Sequence, residues 1–141
     1  MLFVSLLSLN GAHNTLLITW TISIGSEMKE LKLRPYPGRL FVTTTKEDYE
    51  SAHKKLFKTP DVLTCKTAGR YVGGEGHDGL WTYLVFAPSP PILAHELSHV
   101  LFTVFEFCEI DVRDSGGEAF CYMLGQLMSE VPLMHNGKKT K

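Results

Sequence analysis

Leu80-Trp81-Thr82-Tyr83-Leu84-Val85-Phe86-Ala87, then Pro88-Ser89-Pro90-Pro91, then Ile92-Leu93-Ala94-His95-Glu96-Leu97-Ser98-His99-Val100-Leu101 form one continuous run. Its first eight residues are rich in aromatic and β-branched side chains, which suit a pleated, packed surface and predict a strand. The prolines stop that strand. Ser89 is a suitable N-cap, and proline is tolerated in the first helical turn, so a helix is predicted over residues 91–108. That helix is apolar nearly all round, through Ile92, Leu93, Leu97, Val100, Leu101, Val104, Phe105 and Phe107. Such a helix belongs in the centre of a domain.

Upstream, Arg34-Pro35-Tyr36-Pro37-Gly38 reads as a turn or extended entry, and residues 39–44 as a strand. Thr45 can cap a helix over residues 46–57, with Asp48 three residues on as the short acid of a capping box. Tyr49, Ala52, His53 and Leu56 fall on its inward stripe, and Thr59-Pro60-Asp61 ends it. Residues 62–65 and 70–72 read as two short strands. The glycine-rich stretch 73–79 lacks the Gly-Lys-Ser/Thr ending of a phosphate loop, so it is expected to be a turn between strands. Downstream, Asp114 or Ser115 would cap a last helix over residues 116–130, with Phe120, Met123, Leu124, Leu127 and Met128 inward. The expected fold is α+β: a small, mainly antiparallel sheet, one preceding helix, and two C-terminal helices.

The chain has 141 residues, a formal net charge of -1 and 44% apolar residues, which suits one globular domain and offers no basic field for nucleic acid or acidic membranes. Residues 28–132 are expected to form the domain, residues 1–27 an N-terminal extension, and residues 133–141 a basic flexible tail. Residues 1–24 are apolar in two bursts broken by Asn10, Gly11, His13 and Asn14. They carry no Lys or Arg, so they fit neither a spanning helix nor an ordinary signal peptide. Cys65, Cys108 and Cys121 are odd in number and form no C-x-x-C pair, which argues against a disulfide framework. A cytoplasmic setting is expected, with export through the N-terminal apolar segment as the alternative.

The chemistry resides in His95-Glu96-Leu97-Ser98-His99. Positions i and i+4 share one helix face, about 6 Å apart, and two imidazoles so placed can point at one zinc ion with Zn–N distances of about 2.0–2.1 Å. Two histidines and a glutamate on a buried helix would be costly unless satisfied, and a metal satisfies all three. Glu96 would face the open coordination position, where water has a pKa lowered to about 7, and could serve as general acid/base. A third protein ligand must come from elsewhere. A metzincin would need a histidine six residues after His99, where Phe105 stands. Glu118, 19 residues after His99 and in the first turn of the next helix, is a candidate, with Asp111, Asp114 and Cys121 as rivals. His77, Tyr83 and Tyr122 are candidate oxyanion stabilisers. Tyr122 lies one helical turn after Glu118. His13, His53 and His135 are expected to face solvent or to be incidental, the inward stripe being the alternative for His53.

The arrangement of His95, Glu96, His99 and Glu118 resembles the gluzincin metallopeptidases, whose third zinc ligand is a glutamate on a following helix. The segments R-P-Y-P-G-R-L-F, W-T-Y-L-V, A-H-E-L-S-H-V and G-E-A-F-C-Y-M-L-G are similar to those of small metallopeptidases encoded by bacteriophages and prophages, over residues 28–130. The resemblance implies a zincin-like domain, a single Zn2+ held by His95, His99 and Glu118, Glu96 as catalytic acid/base, and a peptide or protein substrate. It also implies that an extended substrate would lie along an edge strand, for which residues 80–87 are the candidate. Two alternatives differ in kind: a zinc-bearing phage structural or interaction protein with a closed, four-ligand site, and a zinc amidase acting on cell-wall peptides.

Overall fold

The structure, a computed structural model, describes residues 28–131; the expected extension and tail lie outside the described residues. Strand β1 (Lys29–Lys32) is followed by β2 (Arg39–Thr43), helix α1 (Lys46–Phe57), β3 (Arg70–Glu75), β4 (Trp81–Phe86), α2 (Pro90–Phe107), a 3-10 turn (Asp114–Gly117) and α3 (Glu118–Glu130). The strands form one sheet in the order β1-β2-β4-β3. The outer pairings are antiparallel and the central one, β2 with β4, is parallel. The fold is therefore α+β with a mixed sheet. A parallel pair needs a crossover, supplied here by α1 and β3 between β2 and β4.

Residue alternation along the strands divides the core into two layers. Leu40, Val42, Tyr83 and Val85 face α2 and α3, where they pack with Leu93, Leu97, Val100, Leu101, Val104, Phe105, Met123 and Leu127. Phe41, Leu84 and Phe86 face the other way, onto Tyr49, Ala52 and Leu56 of α1. Helix α1 starts as expected, with the Asp48 N–H donating to Thr45 Oγ1 at 3.1 Å.

Three expectations are corrected. Residues 62–65 form no strand, because their backbone is held by side chains of α1: Leu63 N–H donates to Glu50 Oε1 (2.8 Å), and Lys46 Nζ to the Thr64 carbonyl. The glycine-rich stretch is only partly a turn, since Gly73 and Gly74 lie inside β3. Helix α3 is capped by neither Asp114 nor Ser115. Ser115, Gly116 and Gly117 all take positive φ (54°, 72° and 79°), so regular helix begins only at Glu118. Of the two readings of His53, the inward one is observed: it is buried, its Nδ1 2.8 Å from the Thr59 carbonyl and its ring 4.9 Å from that of Phe57.

Among the described residues no helix is long and apolar enough to cross a membrane. Cys65, Cys108 and Cys121 are free.

Candidate functional site

Helix α2 runs along the sheet beside β3, which borders the sheet on that side. Its buried stripe includes Leu93, Leu97, Val100, Leu101, Val104 and Phe105, together with one carboxylate, Glu96, at 8% exposure. His95 and His99 lie on the adjoining, exposed side of the helix. The expectation that all three groups would be interior thus holds for Glu96 alone, and the desolvation argument applies only there.

The two imidazoles converge. Nε2 of His95 and Nε2 of His99 are 3.2 Å apart, with the rings nearly perpendicular at 88°. Two nitrogens bound tetrahedrally to one zinc at about 2.05 Å would be separated by about 3.3 Å. The pair therefore has the spacing of two ligands to one ion, and it also allows a hydrogen bond between two neutral imidazoles.

The Glu96 carboxylate opens into a shallow groove of about 230 Å³ lined by Gly69, Arg70, Tyr71, Glu96 and His99. Gly69 makes that arrangement possible. A Cβ built there would lie 2.4 Å from Glu96 Oε1 and 2.6 Å from Ile92 Cγ2, so a side chain at 69 would occupy the space of the acid. Tyr71 lines the groove together with His99. Its ring is stacked on that of His99, at 6.0 Å between centroids and 14° between planes. Its hydroxyl donates to Thr103 Oγ1 (2.8 Å), and the Thr103 hydroxyl donates to the His99 carbonyl (3.1 Å).

Arg70 at the lip of the groove is anchored on the opposite face of the sheet. Its Nε donates to Asp61 Oδ2 at 3.1 Å, and the same oxygen accepts from the Tyr49 hydroxyl at 2.8 Å. Burial pushes the Tyr49 phenol up, and its bond to the Asp61 carboxylate pushes the same way. Burial would raise the Asp61 carboxyl, but the bonds from Tyr49 and Arg70 outweigh it and hold the group below the ordinary carboxylate range.

The remaining expected site residues are distributed as follows. Glu118 is exposed in the first turn of α3. Among the described residues no three His, Cys, Asp or Glu side chains are gathered as a metal-binding group, so Glu118 does not join the histidine pair as a third donor. It is nevertheless two residues from Phe120, whose ring stacks on Phe102 at 5.0 Å, and Phe102 is three residues after His99. Tyr122 is 76% exposed, Tyr83 is buried in the core at 1%, and His77 is exposed at the β3–β4 turn; none of the three lines the groove. Strand β4, the expected edge strand, is paired on both sides, and the border beside the groove is β3.

Gly69, Tyr71 and Thr103 were not singled out by sequence. A glycine preceding a strand and a tyrosine alternating with Gly73 on one strand face are the only local signals they leave.

Comparisons with protein-family models, with curated proteins and with solved structures give no match.

Proposed function

We propose that this domain is a zinc-dependent peptidase of gluzincin type, acting by metal-assisted hydrolysis of a peptide bond. The observation that carries this reading is the 3.2 Å approach of the His95 and His99 Nε2 atoms beside a buried glutamate that opens into a groove. The donor set suits zinc: two imidazoles presented by one helical turn, with Glu118 on the helix packed against it as the proposed third ligand. Glu118 does not join the pair in the structure and would have to approach it to complete the set. The chemistry zinc supplies in such a site is polarisation of a carbonyl and activation of water.

The chain's own groups would do the rest. Glu96, one residue from the first histidine, accepts a proton from the attacking water at a carboxylate oxygen. As the C–N bond breaks, it delivers that proton to the leaving amine. The low exposure of Glu96 limits competing solvent, and the lack of a side chain at Gly69 leaves room for its carboxylate. Tyr122, one turn beyond Glu118, is the proposed hydrogen-bond donor to the developing oxyanion; exposed and outside the groove, it would have to turn toward it. The outer edge of β3, unpaired among the described residues, offers backbone N–H and C=O groups to an extended peptide by strand addition.

Elemental analysis of the purified protein tests the metal, and the Glu96→Gln variant tests the base. The expected result is one zinc per chain in both wild type and Glu96→Gln, with peptide hydrolysis lost only in the variant. Wild type without zinc, or a variant that still hydrolyses peptide at the wild-type rate, refutes the proposal. Glu118→Ala is expected to lower zinc occupancy; unchanged occupancy would move the third-ligand role to another residue.

A further inference from the structure

We infer that Tyr71 is a positioning residue: it fixes the plane of the His99 imidazole so that Nε2 stays aimed at the point where the Nε2 of His95 also aims. The inference rests on the reading of His95 and His99 as zinc ligands and extends it to a residue on a different element.

A ligating imidazole has two soft torsions, and on an exposed helix face nothing in the helix itself holds them. The neighbouring groups normally do that work, and losing them typically weakens metal binding about 10–100-fold. Among the described residues His99 makes no side-chain hydrogen bond other than the one to His95. What restrains its ring is the Tyr71 ring, lying 14° from parallel with it.

Tyr71 is itself fixed at three points. Its backbone is in β3, registered opposite Val85 of β4. Its hydroxyl donates to Thr103, whose own hydroxyl returns to the His99 carbonyl. This closes a loop from the backbone of the ligand, through Thr103 and Tyr71, back to the face of the ligand's ring. Behind Tyr71 stands Tyr83, nearly parallel to it at 6.5 Å and 20°, and 1% exposed in the core. The rings His99, Tyr71 and Tyr83 thus form a column leading from the solvent-exposed imidazole to the centre of the sheet. Gly73 makes room for the column. A Cβ there would lie 2.9 Å from Tyr71 Oη and 3.0 Å from Tyr83 Cδ1.

The test uses the full chain, with Zn2+ titrated against a competing chelator and Co2+ read by its ligand-field spectrum. The variants are Tyr71→Ala, Tyr71→Phe, Thr103→Val and Gly73→Ala. Tyr71→Ala is expected to weaken Zn2+ binding by about tenfold or more and to change the Co2+ spectrum. Tyr71→Phe and Thr103→Val, which keep the stacked ring but cut its tether, should lie between that variant and wild type. Gly73→Ala, distant from the metal in sequence and chemistry, should shift binding in the same direction. A folded Tyr71→Ala with wild-type Zn2+ affinity and an unchanged Co2+ spectrum would overturn the inference.

A metal-free arm separates this result from failure of the zinc reading. In the NMR spectrum of the apo protein, His99 ring protons should show contacts to the Tyr71 ring and a single conformation in wild type, and averaged torsions in Tyr71→Ala. If wild type binds no zinc, the peptidase proposal fails, and this arm decides the positioning role by itself. A His99 ring equally ordered in both proteins rejects it.

Discussion

The two faces of the sheet use similar residues to opposite ends. On the α1 face, Tyr49, Asp61 and Arg70 bond one another, Glu50 accepts from the Leu63 N–H, and His53 meets the Thr59 carbonyl. A hollow of about 380 Å³ on that side is lined by Glu47, Glu50, Ser51, Lys54, Pro60, Asp61 and Val62, yet Glu50 and Asp61, the acids within it that make bonds, already have protein partners. On the α2 face, the side chains of His95 and His99 hydrogen-bond only each other among the described residues, and the Glu96 carboxylate opens into a groove. Polar groups near a core are normally satisfied within the protein. The histidines are exposed, so solvent can serve their ring nitrogens, and the groove beside Glu96 stays open. One face is built as a strut, and the other carries the open groove where the proposed function places a substrate.

The comparison breaks first at Tyr49. Removing this fully buried ring, which also makes an edge contact with Phe86 at 6.4 Å, in Tyr49→Ala should cost about 3–5 kcal/mol in urea unfolding. A loss under about 1 kcal/mol would show that the strut carries no load. Next is Asp61→Ala, which leaves the Tyr49 hydroxyl and Arg70 without their acceptor. It should cost about 1–3 kcal/mol. The pH dependence has a definite sign. The folded carboxyl of Asp61 sits below its unfolded value, so its contribution is present above the unfolded pKa of about 3.9. It is lost as pH falls through the lower folded value. Wild type should therefore lose stability relative to Asp61→Ala on acidification below about pH 4, and parallel acid-titration curves would contradict the assignment.

Two glycines sharpen the contrast. Gly69→Ala must displace Glu96 and Ile92 and should cost about 1–3 kcal/mol, as overpacking does. At Gly74 the nearest atom to an added Cβ is 4.0 Å away, on Phe57, so Gly74→Ala should change stability by no more than about 1 kcal/mol, in the stabilising direction. Equal effects in thermal melts would mean that the wall beside Glu96 yields as easily as an open strand. The smallest effect is expected at the histidines. His95→Ala and His99→Ala should each shift metal-free stability by less than about 0.5 kcal/mol, as exposed positions do, while abolishing any rise in melting temperature on adding Zn2+. A large metal-free loss would recast the pair as a structural feature like His53.

Much of the framework was legible because it rests on local chemistry. The Thr45 cap, the inward stripe of Tyr49, Ala52 and Leu56, and the strand that ends at Pro88 each carry their own signal, and the observed bounds follow them closely. Strand β1 left almost none, since Lys29-Glu30-Leu31-Lys32 buries only Leu31 and exists because β2 offers it a partner. Sheet order was likewise beyond reach: an apolar strand such as β4 looks the same in sequence at a border or at the centre, and only long-range pairing decides. Within the site, the H-E-x-x-H spacing led directly to the convergent imidazoles. Tyr71 stayed hidden, because its meaning depends on which helix the strand lies beside. The orientation of Glu118 depends on Ser115, Gly116 and Gly117, whose run of positive φ angles delays α3 and was not foreseen.

The two glycines in the middle of β3 have one more effect. An uncovered strand border is also a template on which copies of the same chain can polymerise. Gly73 and Gly74 have poor strand propensity, and Arg70 and Glu75 place opposite charges at the strand's two ends, so the border is a weak seed for such growth. Exchanging Gly74 for valine, where an added Cβ comes no nearer than 4.0 Å to any atom, would add a β-branched residue to that border. That chain should turn cloudy and bind amyloid dyes at concentrations where the native one stays clear, which makes the same short stretch a guard of colloidal behaviour.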